Sequence, residues 1–254
     1  MNDTIILVAA RLKSTRLKRK IVKIITGKMV IHHLIDRLSL VKNASDIVVC
    51  TSTNSQDKPI YDFCQNINVK CFRGSEDDVM GRFIGSIEHY NLATQNIVRV
   101  TADSPLISFE MMDKAIKEHN SIKADVTIMK DLPIGMDSEV INFNYFKYLY
   151  KKVEDPNSSE YMTWMLDRPD ICKVHATKTA KYNRPNYRLT FDTAEDLKLI
   201  NNIYNNLYKG NPIPSKEIIE YLDSNPDLTE INNNVQQINY DDVKDHININ
   251  IKKN

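Results

Sequence analysis

Two patterns of apolar and polar positions alternate through the first half of the chain. Short runs rich in β-branched residues, such as residues 5–8, are followed by longer stretches whose apolar residues recur at helical spacing. In the first of these stretches, Val30, Leu34 and Leu38 share one face. This alternation predicts an α/β fold in which helices flank a mostly parallel central sheet. The predicted strands are residues 5–8, 46–51, 69–72, 97–100, 124–129 and 187–191, and the predicted helices are 29–40, 57–66, 77–89, 109–119, 193–208 and 216–222.

The pattern becomes irregular after residue 129. Turn-forming residues are frequent between positions 130 and 186, as in Asp131-Leu132-Pro133 and Asp155-Pro156-Asn157. We interpret residues 1–208 as one domain with an excursion at 130–186, which we expect to carry ligand or dimer contacts. Residues 209–254 are interpreted as a C-terminal extension, whose last part is polar and poorly periodic.

Composition narrows the class of protein. The 254 residues include 34 basic and 33 acidic side chains, so the formal net charge is +1 and no overall field attracts nucleic acid or an anionic membrane. The chain has no long apolar run and opens on a short strand rather than a signal peptide, so we expect a cytoplasmic protein. The four cysteines lack metal-binding spacing and are expected to be small core residues: Cys50, Cys64, Cys71 and Cys172.

A cationic loop follows the first predicted strand. Arg11, Arg16 and Lys20 are interleaved there with Ser14 and Thr15. Backbone N–H groups, hydroxyls and positive side chains converge in this way where α/β sheets bind phosphates. The loop therefore predicts a triphosphate site, although a solvated basic turn is an alternative interpretation.

Two aspartates follow predicted strands. Asp103 comes after strand 97–100 and Asp192 after strand 187–191, so both are expected at the carboxyl edge of the sheet. Hard cations such as Mg²⁺ prefer carboxylate ligands, and Mg²⁺ can neutralise charge on a triphosphate. The alternative is that each aspartate merely caps a helix, at Asp103-Ser104-Pro105 or Asp192-Thr193.

Five segments, in order along the chain, resemble motifs of the spore-coat polysaccharide cytidylyltransferase-like family, which is related to the Kdo and acylneuraminate cytidylyltransferases. The segments are Ala10-Arg11 to Lys20, Arg73-Gly74 to Phe83, Arg99-Val100-Thr101-Ala102-Asp103-Ser104-Pro105-Leu106, Pro133-Ile134-Gly135-Met136-Asp137-Ser138-Glu139-Val140 and Arg188-Leu189-Thr190-Phe191-Asp192-Thr193 to Leu197. Two departures stand out. Lys18-Arg19 replaces the Pro-Gly of the family's first loop, and Tyr161 replaces a histidine in Glu160-Tyr161-Met162-Thr163.

The resemblance implies a Rossmann-like nucleotide-diphospho-sugar transferase fold, of the GT-A-like kind. It also implies a Mg²⁺-dependent cytidylyltransferase that transfers CMP from CTP to an acidic sugar or related acceptor and releases pyrophosphate, for surface polysaccharide or glycan biosynthesis. A homodimer is expected, with aromatic residues of the excursion, Tyr145 to Tyr150, offering one contact surface.

The expected site residues fall into overlapping groups. The catalytic group is Arg11, Lys20 and Asp103. The nucleotide-binding group is Ala9, Ala10, Arg11, Ser14, Arg16, Lys20, Arg73, Ser75, Arg82 and Asp103. The acceptor-binding group is Asp137, Glu139 and Glu160, and the metal ligands are Asp103 and Asp192.

Some roles stay open at this level. Arg82 could instead form a surface salt bridge with Asp78, four residues earlier. Asp137 and Glu139 lie on an extended segment with alternating faces, so one is expected to meet the ligand while the other is solvated. Trp164 is interpreted as a packing anchor.

Three other functions compete with this one. The first is guanylyl or uridylyl transfer to a sugar phosphate, since base choice depends on loop contacts. The second is a GT-A-like glycosyltransferase that uses a nucleotide sugar, which should have an Asp-x-Asp motif after a strand; none occurs in such a position. The third is a non-catalytic nucleotide-binding protein, against which the presence of both Asp103 and Asp192 argues.

Overall fold

The computed structural model describes residues 3–14, 16–237 and 242, with the side chain of Glu160 excepted. Within these residues the chain forms nine strands and nine α-helices, joined by short 3-10 turns. The strands are β1 (Thr4–Ala9), β2 (Ile24–Ile25), β3 (Lys28–Met29), β4 (Asp46–Ser52), β5 (Lys70–Gly74), β6 (Asn96–Thr101), β7 (Val126–Met129), β8 (Glu139–Asn142) and β9 (Val174–Thr177). The helices are α1 (Val30–Leu38), α2 (Lys58–Asn66), α3 (Val79–His89), α4 (Phe109–Ile122), α5 (Phe143–Tyr150), α6 (Met162–Leu166), α7 (Ala194–Leu207), α8 (Ser215–Ser224) and α9 (Pro226–Thr229).

Seven strands form the central sheet, in the order β5-β4-β1-β6-β8-β7-β9. Neighbours pair in parallel except at β8, which runs antiparallel to both β6 and β7. The mostly parallel sheet predicted from the sequence is therefore confirmed. Strands β2 and β3 form a separate hairpin.

Helices cover both faces of the sheet, and residues 5–8 of β1, which are all apolar, point alternately to the two sides. Ile6 and Val8 join a core with α1, α2, α4, α7 and α8, whereas Ile5 and Leu7 join a second core with α3, α5 and α6. Burial on both faces is what continuous apolar strands of parallel sheets require. Helix α8 lies beyond the predicted boundary at residue 208, yet its Ile218 packs in the same core as α7.

The predicted elements of the first half are confirmed to within a few residues, but two later predictions are wrong. Residues 187–191 are extended without forming a strand of the sheet, since their pairing is an isolated bridge between Ile134 and Arg188. The excursion also contains regular elements, namely β8, α5, α6 and β9. β8 and β9 have four residues each, too few for the alternation to be read reliably.

Helix α5 places most of its aromatic residues inward. Phe146 is buried, and Tyr150 donates a hydrogen bond to Asp78 at 2.6 Å. Tyr148 is 48% exposed, so it is the part of the predicted aromatic contact surface that lies open. Three of the four cysteines, Cys50, Cys64 and Cys71, are buried as predicted.

None of the helices in the described residues is both long enough and apolar enough to span a bilayer.

Candidate active site

A cavity of about 580 Å³ opens at the carboxyl edge of the central sheet. Ala9 and Thr101, the last residues of the neighbouring strands β1 and β6, form part of its lining. Ligands of open α/β sheets bind at this edge because the loops that follow parallel strands meet there. The cavity is therefore where the sequence analysis places the site.

The loop after β1 is held in shape by a buried carboxylate. Asp57, at the start of α2, accepts the backbone N–H of Leu12 at 2.7 Å and the hydroxyl of Ser52 at 2.5 Å. Its side chain is inaccessible to solvent. Sequence reasoning missed Asp57, since nothing in its local context distinguishes it from an ordinary residue at a helix start.

The replacement of Pro-Gly by Lys18-Arg19 has a visible conformational cost. Arg19 has a φ of 53° and adopts the left-handed conformation, which glycine reaches without strain. The chain then enters a 3-10 turn that begins at Lys20. The backbone thus keeps a glycine-like turn, and Lys20 is delivered into the cavity.

The three predicted phosphate-binding cations, Arg11, Arg16 and Lys20, all line the cavity. Arg11 donates to the backbone carbonyl of Glu76 at 3.0 Å. Arg16 is 44% exposed at its side chain and lies 3.3 Å from Oδ1 of Asp192. The loop is partly solvated, since Lys18 and Arg19 are exposed and lie outside the cavity lining, but its three predicted phosphate-binding cations share one concave surface.

Lys20 bridges the two predicted metal ligands. Its Nζ lies 2.5 Å from Oδ2 of Asp103 and 2.6 Å from Oδ1 of Asp192. Burial alone would lower the pKa of Lys20, but the charges of the two carboxylates outweigh it and raise the pKa above its ordinary value. Burial would likewise raise the pKa of Asp103, and the Lys20 ammonium holds it below the usual range.

Neither aspartate caps a helix. Ser108 caps α4, accepting the N–H of Met111, and Thr193 caps α7 in a capping box with Asp196. The capping alternatives for Asp103 and Asp192 are therefore wrong, and both side chains are directed into the cavity.

The donor set fits a magnesium ion that is shared with a triphosphate. Two carboxylate oxygens, from Asp103 and Asp192, contact the same nitrogen and so can approach a common cation. Within the described part of the chain, His, Cys, Asp and Glu do not gather in groups of three or more that could hold a metal. Mg²⁺ binds through one or two carboxylates, with phosphate oxygens and water completing its octahedron, so two carboxylates are sufficient.

Asp137 and Glu139, from the excursion, also line the cavity. The two residues differ in solvent exposure as expected, since Asp137 is exposed and Glu139 is buried, but both line the cavity because residues two apart in an extended segment share a face. Glu139 is buried. Its carboxylate accepts one hydrogen bond from Arg99 at 3.0 Å and another from the hydroxyl of Thr163 at 2.9 Å.

Asp137 is exposed and lines the cavity. Partial desolvation, together with the negative charge of Glu139, raises the pKa of Asp137 to about 6. A carboxylate with this pKa can hold or release a proton near neutral pH.

The excursion, which was expected to carry ligand or dimer contacts, contributes part of the cavity lining, although these particular residues were not predicted as site residues. Tyr161, Thr163 and Trp164 line the cavity, so Trp164 is more than a packing anchor. Tyr161 therefore lies at the site even though the family motif has a histidine there. The side chain of Glu160 falls outside the described residues. Arg99 and Gln237 also line the cavity and were not predicted.

Arg82 lines the cavity from a buried position. Its Nη1 donates to the backbone carbonyls of Ser75 and, at 2.9 Å, Glu76. The predicted surface salt bridge with Asp78 is wrong, because Asp78 instead caps α3 by accepting the N–H of Gly81 at 2.7 Å.

Four predicted nucleotide-binding residues have other positions and lie outside the cavity lining. Arg73 donates to the carbonyls of Ser52 and Asn54, and Ser75 accepts the N–H of Asp78. The remaining two are Ala10, which is buried, and Ser14, which accepts the N–H of Leu17 at 3.4 Å, while Thr15 lies outside the described residues.

Comparison with known proteins gives a consistent result. The family model described as cytidylyltransferase matches residues 5–218. An uncharacterized protein of Methanocaldococcus jannaschii is 32% identical over 94% of this chain and 98% of its own length. The spore coat polysaccharide biosynthesis protein SpsF of Bacillus subtilis is 28% identical over 89% of this chain and 97% of its own. The structure of a cytidylyltransferase from Leptospira borgpetersenii superposes with a TM-score of 0.82 at 24% identity, covering 93% of this chain and 99% of that one.

Proposed function

The chain belongs to the cytidylyltransferase family and is a nucleotidyltransferase, and we propose that it transfers CMP from CTP to a hydroxyl of an acidic sugar or related acceptor, releasing pyrophosphate. One observation carries the proposal. Three cations of the first loop and two carboxylates from separate segments converge in one cavity at the carboxyl edge of the sheet. Such a grouping matches the charge distribution of a metal–triphosphate complex.

The first loop would bind the nucleotide. Arg11, Arg16 and Lys20 place positive charge where the β- and γ-phosphates would lie, and they stabilise the charge that passes to the leaving pyrophosphate. Asp103 and Asp192 would hold Mg²⁺, which when bound neutralises phosphate oxygens and makes the α-phosphorus more electrophilic. These groups lie just beyond strands or on loops held by hydrogen bonds. They would therefore act mainly by positioning the triphosphate and the acceptor.

The acceptor would be bound by cavity-lining residues of the excursion, namely Asp137, Glu139, Tyr161, Thr163 and Trp164. An indole face such as that of Trp164 packs against the apolar face of a ring, and carboxylates and hydroxyls form hydrogen bonds with sugar hydroxyls. Asp137 would accept the proton of the attacking hydroxyl, since its raised pKa suits a base that works near neutral pH. The name of the Bacillus subtilis relative links that protein to polysaccharide biosynthesis, which supports a sugar acceptor here.

The predicted cytoplasmic location and homodimer accompany this proposal. Tyr148 on α5 is 48% exposed and would be part of a dimer contact. The dimer is tested by comparing the sedimentation of the wild-type protein and the Tyr148→Asp variant. A carboxylate buried at the contact would dissociate a dimer and would leave a monomer unaffected.

The reaction is tested by measuring pyrophosphate release with Mg²⁺, each of CTP, GTP, UTP and ATP, and a panel of acidic sugars and sugar phosphates. Asp103→Asn is the loss-of-function variant. Asp131→Asn is its matched control, because Asp131 is an exposed carboxylate outside the cavity lining. Release confined to CTP, abolished in the first variant and kept in the second, supports the proposal. Release confined to GTP or UTP with sugar phosphates would replace it, and the absence of both release and CTP binding in calorimetry would overturn it.

A further inference from the structure

We propose that residues 232–237, near the C-terminal end of the described chain, are part of the active site: they hold Arg188, which in turn fixes the orientation of the metal-binding carboxylate of Asp192. The inference rests on the proposed function, because it assigns a positioning role toward the metal that function requires. Neither Arg188 nor this segment was identified as part of the site from the sequence. The matched family region ends at residue 218, before the segment begins.

Arg188 determines which oxygen of Asp192 faces the cavity. Its Nη2 donates to Oδ2 of Asp192 at 2.8 Å. That contact leaves Oδ1 directed at the cations, 2.6 Å from Lys20 and 3.3 Å from Arg16. Because the Arg188 side chain is only 4% exposed, its guanidinium has little freedom to turn. Asp192 is thus held with one oxygen committed to the protein and the other available to a ligand.

The same guanidinium is anchored by a second carboxylate. Nε of Arg188 donates to Oδ1 of Asp196 at 3.0 Å, and Asp196 has no solvent exposure. Oδ2 of Asp196 also accepts the backbone N–H groups of Asp192, at 2.9 Å, and Thr193, at 3.0 Å. Asp196 therefore fixes both the backbone of Asp192 and the arginine that orients its side chain.

The C-terminal segment supplies the remaining contacts of this network. Asn232 is buried, and its Nδ2 donates to the carbonyl of Arg188 at 3.0 Å and to Asp196 at 2.8 Å. Gln237 accepts from Nη1 of Arg188 at 2.5 Å and itself lines the cavity. A buried ion pair is stable only when its hydrogen-bonding groups are satisfied, so these two residues keep Arg188 in position.

Groups that orient metal ligands change metal affinity by about ten- to a hundredfold when they are removed. A segment that only stabilised the fold would change the unfolding temperature without such an effect. Metal affinity is therefore the measurement that separates the two roles.

The experiment titrates Mn²⁺ into the full-length protein saturated with CTP, without acceptor, and follows free Mn²⁺ by electron paramagnetic resonance. The variants are Gln237→Ala, Asn232→Ala and Arg188→Lys. Gln236→Ala is the matched control, because Gln236 is the exposed neighbour of Gln237 and does not line the cavity. Thermal unfolding is recorded on the same samples. Gln237 is exposed as well, so its substitution decides the question even if Asn232→Ala, at a buried position, fails to fold.

We expect about tenfold weaker Mn²⁺ binding in Gln237→Ala and Asn232→Ala, with wild-type affinity in Gln236→Ala. Arg188→Lys should also bind Mn²⁺ more weakly, because a lysine cannot reproduce the forked contacts to two carboxylates. Equal Mn²⁺ affinity in wild type and Gln237→Ala would overturn the role of the segment and leave the proposed function intact. If the wild-type protein with CTP bound no Mn²⁺, both proposals would fall together.

Discussion

The side-chain nitrogen of Lys20 lies 2.5 Å from Oδ2 of Asp103, two residues beyond the end of β6. The same nitrogen contacts Asp192 at 2.6 Å, so one ammonium lies between the two carboxylates that would bind a divalent cation. A divalent cation bound by these carboxylates would therefore compete with Lys20 for the same oxygens. A triphosphate offers Lys20 other anionic partners, and we expect metal to bind well only together with the nucleotide.

Lys20→Met tests this competition. Removing the ammonium takes away the cation that Asp103 and Asp192 share, so we expect the variant to bind Mn²⁺ about tenfold more tightly than wild type when CTP is absent. CTP itself should bind more weakly, because a phosphate contact is lost. Both affinities are measured by calorimetry, with Lys18→Met as the control, since Lys18 belongs to the same loop and lies outside the cavity lining. Unchanged Mn²⁺ affinity in Lys20→Met would contradict the competition.

A second prediction concerns pH and Asp137. Its pKa of about 6 in the folded protein exceeds the ordinary value of 3.8, so between these values the native state holds a proton that the unfolded chain has released. The contribution of Asp137 to the free energy of unfolding therefore falls as the pH rises from about 4 to about 6. Asp137→Asn should be more stable than wild type above pH 6, and the difference should vanish below about pH 4.

Urea denaturation of wild type and Asp137→Asn at pH values from 4 to 7 measures this difference, with Asp131→Asn as the control. In activity assays the same variant should lose turnover, and the acid limb of the wild-type profile should lie near pH 6. A stability difference between wild type and Asp137→Asn that stays constant over the whole pH range would show that Asp137 has an ordinary pKa.

The sequence is enough to predict that the cationic loop and Asp103 lie in one cavity, for a simple reason. Parallel strands end at the same edge of a sheet, so residues that directly follow such strands come together whatever the rest of the fold. Arg11, Lys20 and Asp103 are each close in sequence to a strand that the apolar pattern identifies clearly. Their convergence needs no knowledge of long-range packing.

Asp57, Arg188 and Gln237 could not be found in this way. Asp57 contacts a loop 45 residues earlier, and Gln237 reaches an arginine 49 residues before it. Such pairs depend on how helices pack on the sheet, which local patterns do not determine. Residues 187–191 were wrongly predicted to be a strand of the sheet. This extended segment forms hydrogen bonds with Ile134 and Asp103 outside the sheet, yet its apolar and polar residues alternate as they do in a strand.

Arg99 and Glu139 give a third prediction, because they are directly opposite each other on β6 and β8. Their ion pair is mostly buried, with 16% and 6% of the side chains exposed. Removing one partner leaves a buried charge uncompensated, so Arg99→Met and Glu139→Gln should each lower the free energy of unfolding by about 3 kcal/mol.

The double variant should lose less than the sum of the two single variants, and chemical denaturation of all four proteins gives the coupling energy. Thr163→Val removes only a neutral hydrogen-bond donor to Glu139, so it should lower the free energy of unfolding by about 1 kcal/mol. Additive losses in the double variant would mean that the pair contributes no coupling.

The last prediction concerns Gly135, which precedes Asp137 by two residues. Its φ is +89°, and a Cβ at this position would lie 2.6 Å from the backbone nitrogen of Thr190. Ile134 is joined to the neighbouring segment by two backbone hydrogen bonds, of 2.8 Å to Tyr187 and 2.7 Å to Leu189. Gly135→Ala must therefore strain its own backbone and also push apart the segments that carry Asp137 and Asp192.

Gly210 separates these two effects, because its φ is +93° but nothing lies within 4 Å of the position a Cβ would take. Gly210→Ala should cost about 1 kcal/mol from backbone strain alone and leave turnover unchanged. For Gly135→Ala we expect a loss of about 3 kcal/mol together with a fall in turnover, since the clash adds to the strain. Equal losses of stability in the two variants, with turnover kept in both, would mean that the close approach at Thr190 relaxes freely and that Gly135 does not set the spacing between Asp137 and Asp192.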